Sequence, residues 1–444
     1  MKIAIIVRNY HKSGGISGCA AELAGYFALN HNEVHIFAAS WKDADDAPII
    51  FHKVPAISFK FLKDRGMNAL NNIFEMASFA VFSRFAVKPK NFDIVHSHGS
   101  YMGRFDIFTA HSCHAESLAV SIKARSGIWG KLKKTVLNPL HLILLCIEKY
   151  SVKHANRIIT VSRRVKGDII KHYNIPENRI DVVINGVDIE RFNPRNNAVS
   201  REAVRKRLNL KPEDKVIIFP AHEFERKGLY QLIQALNLVH FKDLFVVAAG
   251  EDDPAPFARF AKKYGLENNI IFTGKVTDME KYYSASDLLV FPTYYEPFGL
   301  VILEAMASGL PVITSALAGA AELISDKTNG VIIKNCADYR SIAGAIRLVI
   351  NDGKTAGPLG ENARKSAEQY SWSAIAEKTF SLYEDVMLEK AYESDFGHCI
   401  SACMKSGLKR NISKEYTLSA RGLPVIDPIC IMQTEQIAGR PQVK

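Results

Sequence analysis

The segment 291–314, FPTYYEPFGLVILEAMASGLPVIT, concentrates the residues best suited to chemistry. It opens as a buried strand, after which Glu296 stands before Pro297, Phe298 and Gly299, and Glu304 follows eight residues later in a helix opened by the glycine turn. Backbone N–H groups at such a helix N-terminus, here around Phe298, Gly299 and Leu300, can hold a phosphate without a metal. Two carboxylates then flank an anion site. A carboxylate accepts hydrogen bonds from vicinal hydroxyls, at about 1.5–3 kcal/mol per charged bond. Glu296, on the loop, is therefore expected to face a sugar, and Glu304, two turns deeper, a nucleotide ribose. The competing reading is an ordinary helix start that carries a surface glutamate.

This grouping resembles the donor motif of glycosyltransferase family 4, of the GT-B fold, in which a glutamate in an E-x-F-G turn is followed by seven residues and a second glutamate. The likeness runs from Met1 to about Val386 and resembles lipopolysaccharide-core and phosphatidylinositol mannosyl-type members. It implies a retaining hexosyltransferase that passes a sugar from a nucleotide diphosphate to a hydroxyl of a glycan, lipopolysaccharide or lipid-linked acceptor, with no cofactor and no metal. Retention of this kind is drawn as a front-face displacement in which the leaving phosphate helps to take the acceptor proton. Both glutamates then bind spectator hydroxyls, unlike the nucleophilic pair of a retaining glycosidase.

Further elements match the family in order. In AHEFERKGL, residues 221–229, Arg226 and Lys227 match the basic pair that neutralises the departing diphosphate. In SGGIS, residues 13–17, Gly14 and Gly15 follow the first strand, where the absence of a Cβ lets backbone approach a phosphate or sugar closely. In LAGAAELISDKTNG, Gly319 and Glu322 match a glycine-rich loop in which Ala320 replaces the second glycine, and Glu322 is either a site residue or a cap. In FTAHSCH, His111 matches a histidine that contacts the donor near the anomeric centre, where it can accept a hydrogen bond from a donor hydroxyl. Asp106 could fill the part of an acid that lipopolysaccharide-core members carry nearby. A histidine-rich metal site built from His96, His98, His111 and His114 is the rival reading. Residues 43–45 spell D-x-D, the metal motif of a different transferase fold, without that fold's context.

Positioning these groups requires two cores. At 444 residues the chain is too long for one. Short β-branched runs alternate with helical patterns, first at 3–7, 34–38, 94–96, 107–110, 157–161 and 180–184, then at 216–219, 244–248, 270–272, 288–291, 312–314 and 330–333. That rhythm predicts an α/β protein of two Rossmann-like domains facing across a cleft. The expected division is an acceptor domain at 1–195, a donor domain at 196–372, a helix at 373–390 that crosses back, and a loosely ordered tail at 391–444 without an assignable role. The interdomain linker is expected within 188–214.

Composition narrows the partners. The net charge of +11 favours an anionic partner, yet the basic residues lack aromatic platforms or a reader motif, so nucleic acid is not expected. The seven scattered cysteines suggest neither disulfides nor zinc, consistent with a reducing cytoplasm. The apolar run 136–147 is too short to span a bilayer. Phe59, Phe61 and Leu62 among Lys60, Lys63 and Arg65, and Trp129 among Lys131, Lys133 and Lys134, suit peripheral docking on an anionic inner membrane face. The alternatives are a non-catalytic sugar-nucleotide-binding scaffold, which would keep Lys227 and Glu304, and a GT-B epimerase, which would lack the glutamate pair.

Overall fold

The computed structural model describes residues 1–405 apart from 13, 43–46, 100, 124–138, 240, 242 and 352. Two parallel sheets carry the fold. In spatial order the first is Ile49–Lys53, Glu33–Ala38, Lys2–Ile6, Ile94–Ser97, Ile107–Ala110, Arg157–Thr160 and Ile180–Val182. The second is Ile270–Gly274, Leu244–Ala249, Lys215–Pro220, Leu288–Phe291, Val312–Ser315 and Val331–Ile333. Runs such as Leu288–Phe291 are buried at every position, because a parallel sheet covered by helices on both faces has no polar side. The expected α/β fold with two Rossmann-like halves is what forms.

In both sheets the chain's first strand lies centrally, with the second and third strands to one side and the fourth and fifth to the other. The carboxyl ends of the first and fourth strands therefore border the crevice where strand order reverses, the place where such sheets bind ligands. In the first half those ends lead into the turn at Gly14 and into His98; in the second they lead into residues 221–229 and 292–299.

The strand Ile49–Lys53 was not among the expected runs. It is a half-exposed edge strand, so its sequence lacks the apolar continuity of the inner strands. The segment expected to link the halves contains the helix Asn197–Arg207. Arg205, 4% exposed, donates to the Ala285 carbonyl at 2.9 Å and pairs with Asp287 at 2.9 Å, which explains how so polar a helix stays docked.

The last described helix, Trp372–Lys405, is longer than the helix expected at 373–390. No proline interrupts the stretch, so nothing in it forces a stop at the expected tail boundary. Its beginning reaches the first sheet's strand ends. The Val187 N–H donates to the Tyr370 carbonyl at 2.9 Å, Lys378 Nζ to the Val182 carbonyl at 3.0 Å, and Tyr26 Oη to Glu377 at 3.0 Å. A Cβ on Gly186 would come within 2.8 Å of the Trp372 ring, so glycine is required for this approach. Of the described residues, those up to Phe380 form one compact unit and those from Ser381 to Lys405 belong to a second.

Candidate active site

Lys227 and Glu296 meet at the strand ends of the second sheet. Lys227 closes a short helix, Phe224–Lys227, and lies in a nonpolar setting with its ammonium 5.5 Å from the Phe291 ring centroid. Its Nζ donates to Glu296 Oε2. Burial pushes the ammonium below the ordinary lysine range, and the Glu296 carboxylate opposes that shift. Gly228, which follows, has φ of 91°, and a Cβ there would sit 2.4 Å from the Pro292 carbonyl oxygen. Only glycine lets the lysine turn approach the loop that carries Glu296.

The E-P-F-G turn is held by backbone from the neighbouring loop. Gly319 N–H donates to the Glu296 carbonyl at 2.9 Å and Ala320 N–H to the Phe298 carbonyl at 2.7 Å. A Cβ on Gly319 would lie 2.1 Å from the Pro297 carbonyl oxygen, so this glycine marks close backbone approach. Ala320 is fully buried, and its methyl group is accommodated there. Gly299, with φ of 99°, caps the helix Leu300–Ala307, whose first N–H groups lack intrahelical partners. Phe298 is buried beneath the turn.

Glu304 projects from that helix and accepts a hydrogen bond from Tyr283 Oη at 2.8 Å. Burial raises its carboxyl above the ordinary range, while the Tyr283 bond and Arg191 pull it back. Glu304 and Leu300 share a solvent-open pocket of about 470 Å³ with Lys12, Gly14 and Arg191. The glycine turn of the first half thus faces the helix tip of the second. Gly14 and Gly15 have φ of 63° and 62°, and a Cβ on either would meet nothing within 4 Å. Left-handed backbone already requires glycine at both positions.

His111 stands at the end of the strand Ile107–Ala110, and its Nε2 lies 3.0 Å from Nδ1 of the buried His98. His96 packs 4.2 Å from the His98 ring and holds Thr109 Oγ1 at 2.6 Å. His114 is not part of this trio; it lies 3.1 Å from His141. Burial brings His111 down to about 4 and His96 to about 3, so these rings are neutral near pH 7.

Three expected residues have other duties. Asp106 precedes its strand at the amino end, opposite the crevice, and accepts from Val95 N–H at 2.8 Å, which ties two inner strands of the sheet together. Glu322 accepts from Arg163 N–H at 3.1 Å and so caps the helix Arg163–Tyr173 of the other half. Arg226 does flank Lys227, but its guanidinium holds Glu223 at 2.6 Å and the Tyr295 carbonyl. Residues 43–45, Trp129, Lys131, Lys133 and Lys134 lie outside the described residues.

Sequence reading missed the residues that join the halves. Tyr295, 1% exposed, donates toward the Cys113 carbonyl and Asp168 at 3.3 Å each, and the Arg164 guanidinium lies 5.2 Å from its ring centroid. Ser162 caps its helix by accepting from Val165 N–H at 3.2 Å and donates to the Pro297 carbonyl at 2.6 Å. The serine before a helical run was a readable cap signal; the tyrosine carried none.

Comparison with known proteins agrees with this architecture. Residues 13–191 match the family model described as Glycosyltransferase Family 4, and residues 200–366 that described as Glycosyl transferases group 1. The chain is 25% identical over 383 residues to the lipopolysaccharide glucosyltransferase WaaG of Escherichia coli, covering 85% of this chain and 97% of that one. It is 25% identical over 418 residues to a D-inositol 3-phosphate glycosyltransferase of Salinispora tropica, covering 87% of this chain and 84% of that one. Among solved structures, WaaG superposes with a TM-score of 0.70 at 23% identity, covering 86% of this chain and 99% of that one. Anabaena HepE in complex with UDP-glucose gives 0.66 at 18% identity, covering 87% and 100%. The two matched domains, in this order and on this fold, make the chain a nucleotide-sugar-dependent glycosyltransferase with the GT-B fold.

Proposed function

We propose that the enzyme moves a hexose, with retention at the anomeric carbon, from a nucleoside diphosphate to a hydroxyl of a glycan, lipopolysaccharide or lipid-linked acceptor. The observation that carries the donor half of this reading is the buried Lys227–Glu296 pair beside the Gly299-capped helix tip. When a diphosphate enters, Lys227 shares its charge between Glu296 and the leaving group, and helix N–H groups take the remaining phosphate oxygens. Glu296 then holds sugar hydroxyls and Glu304 the ribose. The bond from the anomeric carbon to the diphosphate oxygen breaks as the acceptor oxygen bonds on the same face. The acceptor proton passes to the departing phosphate. In this reading residues 1–195 receive the acceptor and residues 196–372 the donor.

The names of the relatives support the acceptor class: one acts on lipopolysaccharide and another on an inositol phosphate. Peripheral contact with an anionic membrane is part of the proposal. The first half exposes Phe85 at 72% and Phe61 at 55%, with Phe74 and Val81 also open, among Lys60, Lys63, Arg65 and Arg84. Such a mixture buries apolar groups at the acyl boundary and sets cations among headgroups. Among the described residues no helix is long and apolar enough to cross a membrane.

A panel of UDP and GDP sugars, scored by thermal shift and hydrolysis, tests the donor. Proton NMR of the product reads the anomeric configuration, and inversion would overturn retention. Donor binding without turnover on any acceptor would favour the scaffold reading. Sedimentation with acidic liposomes tests the membrane contact, and an absence of binding at low salt would remove it.

A further inference from the structure

We propose that His98 is a positioning residue that fixes the tautomer of His111, so that His111 presents an Nδ1–H, a hydrogen-bond donor, toward the donor sugar. The inference rests on the donor-site reading above. Two neutral arrangements can satisfy the 3.0 Å contact between His98 Nδ1 and His111 Nε2. Either His98 Nδ1–H donates to His111, or His111 Nε2–H donates to His98. A neutral imidazole carries one proton, so each choice fixes the far nitrogen of both rings.

The far nitrogen of His98 decides between them. His98 is 3% exposed, and its Nε2 is buried with no hydrogen-bond partner. The small pocket beside it is lined by aliphatic groups, including Leu23, Ile159 and Val161, together with Cys19, Thr109, Asn185 and Thr379. The polar groups in that lining have partners: Thr109 Oγ1 lies against His96, Cys19 Sγ donates to Asn185 Oδ1, and Thr379 Oγ1 donates to the Ile375 carbonyl. If His111 donated, His98 would carry its proton on Nε2, leaving a buried N–H without an acceptor. Orphaned buried N–H groups are the rarer and costlier default; an idle acceptor lone pair is more readily tolerated. The proton therefore sits on His98 Nδ1, and His111 Nε2 accepts. Burial keeps both rings neutral, which removes the third arrangement, with two protons on one ring.

The consequence for the reaction is specific. His111 has its Nε2 occupied and its Nδ1 protonated, so it can hold an oxygen lone pair but cannot take the acceptor's proton. This reverses the sequence-based expectation that the imidazole accepts from a hydroxyl. Its effect reaches the sugar only through His111, so His98 touches no substrate.

Long-range proton–nitrogen NMR on protein labelled with 15N-histidine reads the tautomers directly, with His111→Gln and His98→Asn spectra assigning the signals. The expected result is a protonated Nδ1 and bare Nε2 on both rings in the donor-free enzyme. A protonated Nε2 on either ring overturns the proposal. Kinetics supply the second arm: His98→Leu is expected to lower kcat by about tenfold or more, the scale of lost orienting partners, with donor KM little changed. His98→Asn, whose amide N–H can replace Nδ1–H, is expected to restore most of that loss; equal losses in both variants overturn the positioning role. If His98→Leu does not fold, the wild-type spectrum still decides. Because the spectrum needs no donor, failure of the donor-site reading would show separately, as Lys227→Ala or Glu296→Gln leaving donor binding intact.

Discussion

In the C-terminal half, the groups proposed to face the donor are set by backbone. Gly228 and Gly299 adopt left-handed conformations, Gly319 lets two loops touch, and hydrogen bonds from Gly319 and Ala320 clamp the turn around Glu296. In the N-terminal half, His98 and His111 come from neighbouring strand ends and hold each other through side chains. The first arrangement resists rotation but has no tolerance for added atoms. The second leaves room around its residues but depends on protonation.

Perturbing each half separately sharpens that contrast. The largest effect is expected from Lys227→Ala, which removes the cation from the leaving group and leaves Glu296 without its partner. By analogy with loss of one preorganised donor, kcat should fall about 10²–10³-fold in steady-state assays. Glu296→Gln, which keeps shape but removes charge, should cost about 1.5–3 kcal/mol in transition-state binding, read as kcat/KM. If the two variants behaved like wild type, the backbone-built half would not be the donor site.

Glycine substitutions probe tolerance. Gly228→Ala must move the Pro292 carbonyl as well as strain a φ of 91°, whereas Gly14→Ala meets open space at φ 63°. The first should lower stability by several kcal/mol and the second by about 1–2 kcal/mol, measured by chemical denaturation. Equal losses would mean that close packing does not distinguish the two turns.

Acid should separate the halves by sign. His96 and His111 titrate in the fold at about 3 and about 4, below their ordinary 6.5, so their contribution is complete above pH 6.5 and is lost as pH falls toward those values. Glu304 is shifted upward, so its contribution is present below the ordinary carboxyl value of 4.5 and lost as pH rises through its folded value. Acidification from about pH 7.5 to about pH 5 should therefore lower amide-exchange protection, taken relative to the intrinsic rate at each pH, in Ile94–Ser97 and Ile107–Ala110 more than in Leu288–Phe291 and Val312–Ser315. The smallest effect is expected from chelation: stripping divalent metals should leave turnover nearly unchanged, and its abolition would break the helix-tip account.

The same contrast governs what could be read from residues alone. Glu296, Phe298, Gly299 and Glu304 were legible because one short segment holds the strand, turn and helix start that orient them. His111 was legible as a residue but not as a hydrogen-bonded partner of His98. Their contact depends on the pairing of His96 with Ile107 and Ser97 with Phe108, a register that the chain's spacing does not display. Asp106 was named from the family likeness, and its place at the amino end of its strand depends on the direction of the strand relative to the crevice, which residue spacing does not display. Tyr283 reaches Glu304 from the helix that precedes the motif's strand, outside the motif itself, so no spacing rule leads to it.

The loop that presents Glu296 is also the loop that fastens one half to the other, through Tyr295 to Cys113 and Asp168 and through the Pro297 carbonyl to Ser162. Grip and latch are one peptide. Parting the lobes must tug on the residues flanking the glutamate, and loosening the glutamate must slacken the fastening. If release of the spent nucleotide requires the lobes to part, the two events share this one loop, and the pace of either limits the other.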